Sequence, residues 1–134
     1  MRLEITRRSD LAARALLELA RVGERTRSTE LADRVGTTPG FLSQAMTPLV
    51  ARGWVVSTPG RNGGYALAAD PATLSLLEVI EAIEGPTDRG HCVLEDRPCG
   101  RSAQCALHQP WSSARDQLTA ELSRSTLASL GAAS

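Results

Sequence analysis

From about Ser9 to Val22 the apolar residues Leu11, Ala12, Ala15, Leu16, Leu19 and Ala20 recur at helical spacing on one face, which predicts an amphipathic helix. Ser9 or Thr6 can cap its start, and Gly23 stops it. A short second helix follows over Thr29 to Val35, with Ser28 as its N-cap and Leu31, Ala32 and Val35 as its buried stripe. Gly36 ends that helix, and Thr37-Thr38-Pro39 starts a third almost at once, because a hydroxyl cap is followed by a proline suited to the first helical position.

Two helices joined this tightly read as a helix-turn-helix. In the third helix Phe41, Leu42, Ala45, Met46, Leu49 and Val50 point inward, and Gly40, Ser43, Gln44 and Thr47 form the outer face. Pro48 breaks the local rule: it lacks an N–H and crowds the preceding turn, so a bend near Gln44 to Thr47 is expected, limiting the reading head to Pro39 through Thr47.

Trp54 to Ser57 and Tyr65 to Ala68 read as two strands around a stretch rich in Pro, Gly and Asn, which makes a hairpin or wing. Asp70-Pro71 interrupts the chain, and Thr73 or Ser75 starts a fourth helix through Leu76, Val79, Ile80 and Ile83 that stops at Gly85-Pro86. Residues 85 to about 108 have no apolar period. A last helix from about Gln109 presents Trp111, Ala114, Leu118 and Leu122, with Leu127 and Leu130 beyond, and its uncovered stripe suits pairing with a second copy. The expected fold is mostly α with a small β-hairpin wing. A winged helix-turn-helix domain over 1–84 is followed by a ligand-binding loop over 85–108 and a long C-terminal dimerisation helix and tail over 109–134.

Charge sharpens this picture. The chain is neutral overall, but residues 1–69 carry ten Arg against six acids and residues 70–134 five Arg against nine acids, so the first half is the one suited to a polyanion. Gln44 is the best base reader, since its amide donates and accepts together and so matches the N6 and N7 edge of adenine; Ser43 and Thr47 serve base edge or phosphate. Thr38 and Gly40 belong to the same helix start. Arg61, at the wing tip beside Asn62 and Gly63, is placed to enter a narrow minor groove, and Arg2, Arg7, Arg8 and Arg52 are phosphate candidates. No apolar run approaches the roughly 20 residues of a membrane span, and the opening residues do not read as a secretory signal, so a cytoplasmic protein with no membrane partner is expected. An enzyme is not expected: Cys-x2-Cys, a Gly-rich phosphate loop and a nucleophile-base pair are all missing.

The aperiodic loop contains Cys92, Cys99 and Cys105 in the spacing Cys-x6-Cys-x5-Cys-x2-His, ending at His108. An odd number of thiols in a reducing compartment argues for metal rather than disulfides, and a bound metal supplies ordering free energy that missing apolar residues do not. Spacing alone leaves an iron-sulfur cluster and a structural Cys3His zinc open, with free thiols behind them.

These residues resemble the Rrf2 family of bacterial winged helix-turn-helix regulators, in its IscR-like and NsrR-like iron-sulfur form. The resemblance is carried by Met1-Arg2-Leu3, Phe41-Leu42-Ser43-Gln44, Gly60-Arg61-Asn62-Gly63-Gly64-Tyr65, Leu77-Glu78-Val79-Ile80 and the Cys92, Cys99, Cys105 loop with its Trp-led helix. It implies a homodimer on a palindromic operator in double-stranded DNA, with one 2Fe-2S or 4Fe-4S cluster per subunit. It also implies a repressor whose operator affinity responds to nitric oxide, redox or iron and cluster status; the alternative is a zinc-stabilised or thiol-based regulator without a cluster. For the fourth ligand, Cys105-Ala106-Leu107-His108 resembles the IscR-like pattern, while Ser9-Asp10-Leu11-Ala12 resembles the NsrR-like pattern, in which the partner subunit donates an aspartate. His108 is preferred, Asp10 is the alternative, and His91 is a third candidate. Ser43 stands where the IscR-like proteins carry a glutamate, so the resemblance does not extend to the operator sequence.

Overall fold

A computed structural model describes residues 1–91, Leu94 and residues 105–133. Helix α1 (Arg7–Val22) is the spine: Leu11, Ala12, Ala15, Leu16 and Leu19 are all buried, and α2 (Ser28–Val35), α3 (Pro39–Ala51), α4 (Leu76–Glu84) and α6 (Leu127–Ala133) pack around it. Each fully buried leucine stabilises the fold by about 1.5–3 kcal/mol relative to exposure. Thr6 caps α1 by accepting from the Ser9 amide at 3.2 Å, and Gly23 closes it at φ 77°.

Three antiparallel strands lie beside these helices in the order β1-β3-β2, formed by β1 (Thr26–Arg27), β2 (Val55–Thr58) and β3 (Gly64–Leu67). The hairpin is the expected wing. Strand β1 was not expected, and it corrects the capping of α2: the helix begins at Ser28 itself, with Arg27 in the cap position and no side-chain cap bond. The Ser28 amide and hydroxyl donate instead to the Gly63 carbonyl, at 3.0 and 3.3 Å, because pairing of β1 with β3 carries this segment across the wing.

Helix α3 continues to Ala51 without a break at Pro48. The N–H that proline lacks would have met the carbonyl of Gln44, an exposed residue, and Met46 and Leu49 on either side are locked in the core. Val50, expected inward, is 36% exposed. Ser75 caps α4 in a capping box with Glu78.

The C-terminal stripe is divided. Helix α5 (His108–Arg124) has no buried residue, and Trp111 and Leu118 remain 39% and 43% exposed. The chain then turns at Ser125, the Leu76 amide donates to the Ser125 carbonyl at 2.7 Å, the Leu127 amide donates to the Leu74 carbonyl at 3.0 Å, and Leu127 enters the core at 1% exposure. Leu127 and Leu130 therefore lie on α6, which packs on α1, and do not prolong α5. Among the described residues no helix is long and apolar enough to cross a membrane.

Candidate nucleic-acid interface and metal centre

The start of α3 is fixed from two sides. The Phe41 amide donates to the Thr38 hydroxyl at 3.2 Å, and the guanidinium of Arg7 lies 5.8 Å from the Phe41 ring centroid. With Leu42, Ala45, Met46 and Leu49 buried, the helix has no freedom to roll, and Thr38, Gly40, Ser43, Gln44 and Thr47 are all exposed. The Thr47 hydroxyl donates to the Ser43 carbonyl at 2.8 Å, so toward a ligand it acts as an acceptor. No acidic residue occupies the first turn, which keeps the positive end of the helix dipole unopposed.

At the wing tip Arg61 and Asn62 are exposed. Gly63, singled out in the sequence as a residue at the DNA, is buried: its amide donates to the Gly60 carbonyl at 2.9 Å and its carbonyl receives Ser28. A Cβ there would stand 2.3 Å from the Thr58 carbonyl oxygen, and one on Gly64 would stand 2.2 Å from that of Thr26. Gly63 thus serves the tight turn of the wing, and Gly64 the close approach of β1 to β3. Arg25 donates to the Asn62 carbonyl and braces the tip. Of the other phosphate candidates, Arg2 pairs with Glu4 at 3.6 Å, Arg52 lies 5.7 Å from the Trp54 ring centroid, and Arg8 is exposed.

Of the sulfur ligands, Cys92 and Cys99 lie outside the described residues. Cys105 is half-buried, and its carbonyl accepts from the His108 amide at 3.0 Å, so the two residues stand one turn apart at the start of α5. His108 and His91 line one cleft of about 130 Å³ with Asp88, Trp111 and Arg115, where Arg115 pairs with Asp88 at 3.3 Å. Asp10 does not line this cleft; it accepts from Arg14 at 2.9 Å, and Arg14 also donates to the Val35 carbonyl at 3.0 Å. Among the described residues no three His, Cys, Asp or Glu side chains converge on one point. The chemistry of the donors, thiolate with imidazole, nevertheless fits an iron-sulfur cluster or zinc better than a hard cation.

Glu84, at the end of α4, was missed by sequence reasoning. Its carboxylate accepts from the Thr6 amide at 3.0 Å, from the Thr6 hydroxyl at 3.3 Å and from the buried Ser9 hydroxyl. Burial alone would raise its pKa, but the bonds from Ser9 and Thr6 outweigh burial and hold the carboxyl below its ordinary value. Nothing local marks this contact, because its partners are 75 and 78 residues apart in the chain.

Residues 5–133 match the family Rrf2, described as iron-dependent transcriptional regulator. The chain belongs to the Rrf2 family. It is 30% identical over 131 residues to the HTH-type transcriptional regulator IscR of Enterobacter sp. (strain 638), covering 96% of this chain and 79% of that one. Among solved structures it is similar to CymR, the global cysteine regulator of B. subtilis, with TM-score 0.81 and 24% identity over 99% of both chains. It is likewise similar to T. potens IscR, with TM-score 0.75 and 22% identity over 96% of this chain and 85% of the other. The Rrf2 relatives are transcription regulators rather than enzymes, and these solved structures share the winged-helix fold. The chain is accordingly an Rrf2-family transcriptional regulator, and the exposed face of α3 and the wing beside it are its candidate DNA-binding elements.

Proposed function

We propose that this Rrf2 protein is a repressor-type regulator whose operator affinity is set by an iron-sulfur cluster, 2Fe-2S or 4Fe-4S, held by Cys92, Cys99 and Cys105 with His108 as the fourth ligand. The observation that carries this reading is the placing of Cys105 and His108 one turn apart at the start of α5, which packs against α4. The cluster, when bound, supplies a centre that nitric oxide, oxidants or iron shortage can alter. It switches DNA binding only to the extent that its free energy differs between the operator-competent and incompetent arrangements.

Thr38, Gly40, Ser43, Gln44 and Thr47 enter the major groove, Arg61 and Asn62 reach the minor groove, and Gly63 shapes the wing from within. The uncovered face of α5, with Trp111 and Leu118, pairs with a second copy to make a homodimer on a palindromic site in the cytoplasm.

Oxygen-free purification of the full chain, with iron, sulfide and zinc assays and operator titrations before and after metal removal, tests the reading. Visible charge-transfer absorption with matched iron and sulfide, lost in the His108→Ala variant and kept in Asp10→Ala, is expected. A colourless protein with stoichiometric zinc, or an operator affinity indifferent to the metal, would overturn it; loss in Asp10→Ala alone would move the fourth ligand to the partner subunit.

A further inference from the structure

We propose that Arg27 grips a DNA phosphate beside the wing, a backbone contact additional to those of α3 and Arg61; the proposal rests on the reading of that face as the DNA-binding one. Arg27 is the outward residue of β1: Thr26 is 4% exposed, and strand alternation turns Arg27 to solvent. It stands in register with Gly64 of β3. On either side of it Arg25 holds the Asn62 carbonyl, and Ser28 holds the Gly63 carbonyl through both amide and hydroxyl. Residues 25–28 are therefore stitched to residues 62–64, and Arg27 moves with the wing as one body.

Charge separates Arg27 from its neighbours. Arg14 is taken by Asp10, Arg21 by Glu18, and Arg34 by Glu18 and Glu30. Glu30, the acid in the first turn of the adjoining helix, is thereby occupied. The Arg27 guanidinium has no ion pair, hydrogen bond or ring contact among the described residues, a condition it shares with those of Arg8 and Arg61. A guanidinium left without a carboxylate carries its full charge to a polyanion, and its planar fork matches phosphate. Lying on an edge strand rather than on the reading helix, Arg27 meets the backbone, which carries no sequence information.

The test is a salt series. Full-length wild type, Arg27→Gln, Arg27→Ala, Arg27→Lys and Arg21→Ala are titrated, between about 50 and 200 mM salt, against a duplex enriched from a random pool by the wild type and against a scrambled duplex. Removing one arginine–phosphate pair lowers the slope of log K against log salt by about 0.9. Both Arg27→Gln and Arg27→Ala should show this decrease once per subunit, with equal fold-weakening on the two duplexes; Arg27→Lys should keep most of the slope, and Arg21→Ala all of it. A wild-type slope in Arg27→Gln, or weakening confined to the enriched duplex, overturns the proposal. A wild-type protein that binds neither duplex removes the DNA-face reading itself.

Discussion

The Ser9 hydroxyl, fully buried in the first turn of α1, donates to the carboxylate of Glu84, the last residue of α4. A carboxylate at a helix C-terminus opposes the dipole of its own helix; here it sits instead at the N-terminus of α1, where that dipole favours it. The same oxygen receives Thr6, so one charge closes the start of α1 over the end of α4.

Acid should loosen this joint. The folded-state pKa of Glu84 lies below its ordinary 4.5, so its stabilising effect is complete above that value and is lost as pH falls through the depressed one. Glu84→Gln should lower stability at neutral pH by about 1–3 kcal/mol, as expected when a charged hydrogen-bond acceptor is removed. It should also flatten the fall in stability below pH 4.5. Urea unfolding followed by circular dichroism at pH 7, 5 and 3.5 checks both expectations.

On DNA, Gln44→Ala should relax base preference at one position of each half-site, costing about 1–3 kcal/mol of discrimination. Arg61→Ala should weaken sites with narrow A/T-rich flanks more than G/C-flanked ones. Competition binding with single-base and flank variants measures the two effects separately, and equal losses on specific and random DNA would remove both roles.

Gly64→Ala should destabilise the fold by about 1–3 kcal/mol, the usual range for an added methyl in a filled space, because the new carbon would stand 2.2 Å from the Thr26 carbonyl oxygen. The opposing atom is backbone, so relief requires β1 to part from β3, which also frees Arg27 and Ser28 from the wing. A lower urea midpoint with an unchanged slope, accompanied by weaker DNA binding, is the expected result.

Local signals made much of this architecture legible. Thr38 with Pro39, and the hydroxyl of Thr73 or Ser75, announce helix starts by local chemistry; the structure uses Thr38 and Ser75, and Glu78 completes the box at the second. The exposed set on α3 followed from helical periodicity for the same reason. What sequence reading missed is held by distant partners. Strand β1 is only two residues long and exists because β3 lies beside it, and Ser28 is drawn from its capping role by the Gly63 carbonyl. Leu122 and Leu127 read as one stripe until Leu74 and Ser125 turn the chain between them. Of the metal donors, spacing suggested chemistry, and the described residues add the juxtaposition of Cys105 with His108 and of His108 with His91.

Besides its packing against α4, the return of the chain at Ser125 moors the C-terminal end of α5. Hydrogen bonds to residues 74 and 76 and the plugging of Leu127 into the spine hold that end, while His108 stands at the other end of this 17-residue helix, with Cys105 just before it. At 1.5 Å per residue the arm is about 25 Å long, so a tilt of about 5° at the mooring sweeps the far tip by roughly 2 Å. An adjustment too small to disturb the packed interior is thus enough to shift His108 in or out of reach of the proposed cluster.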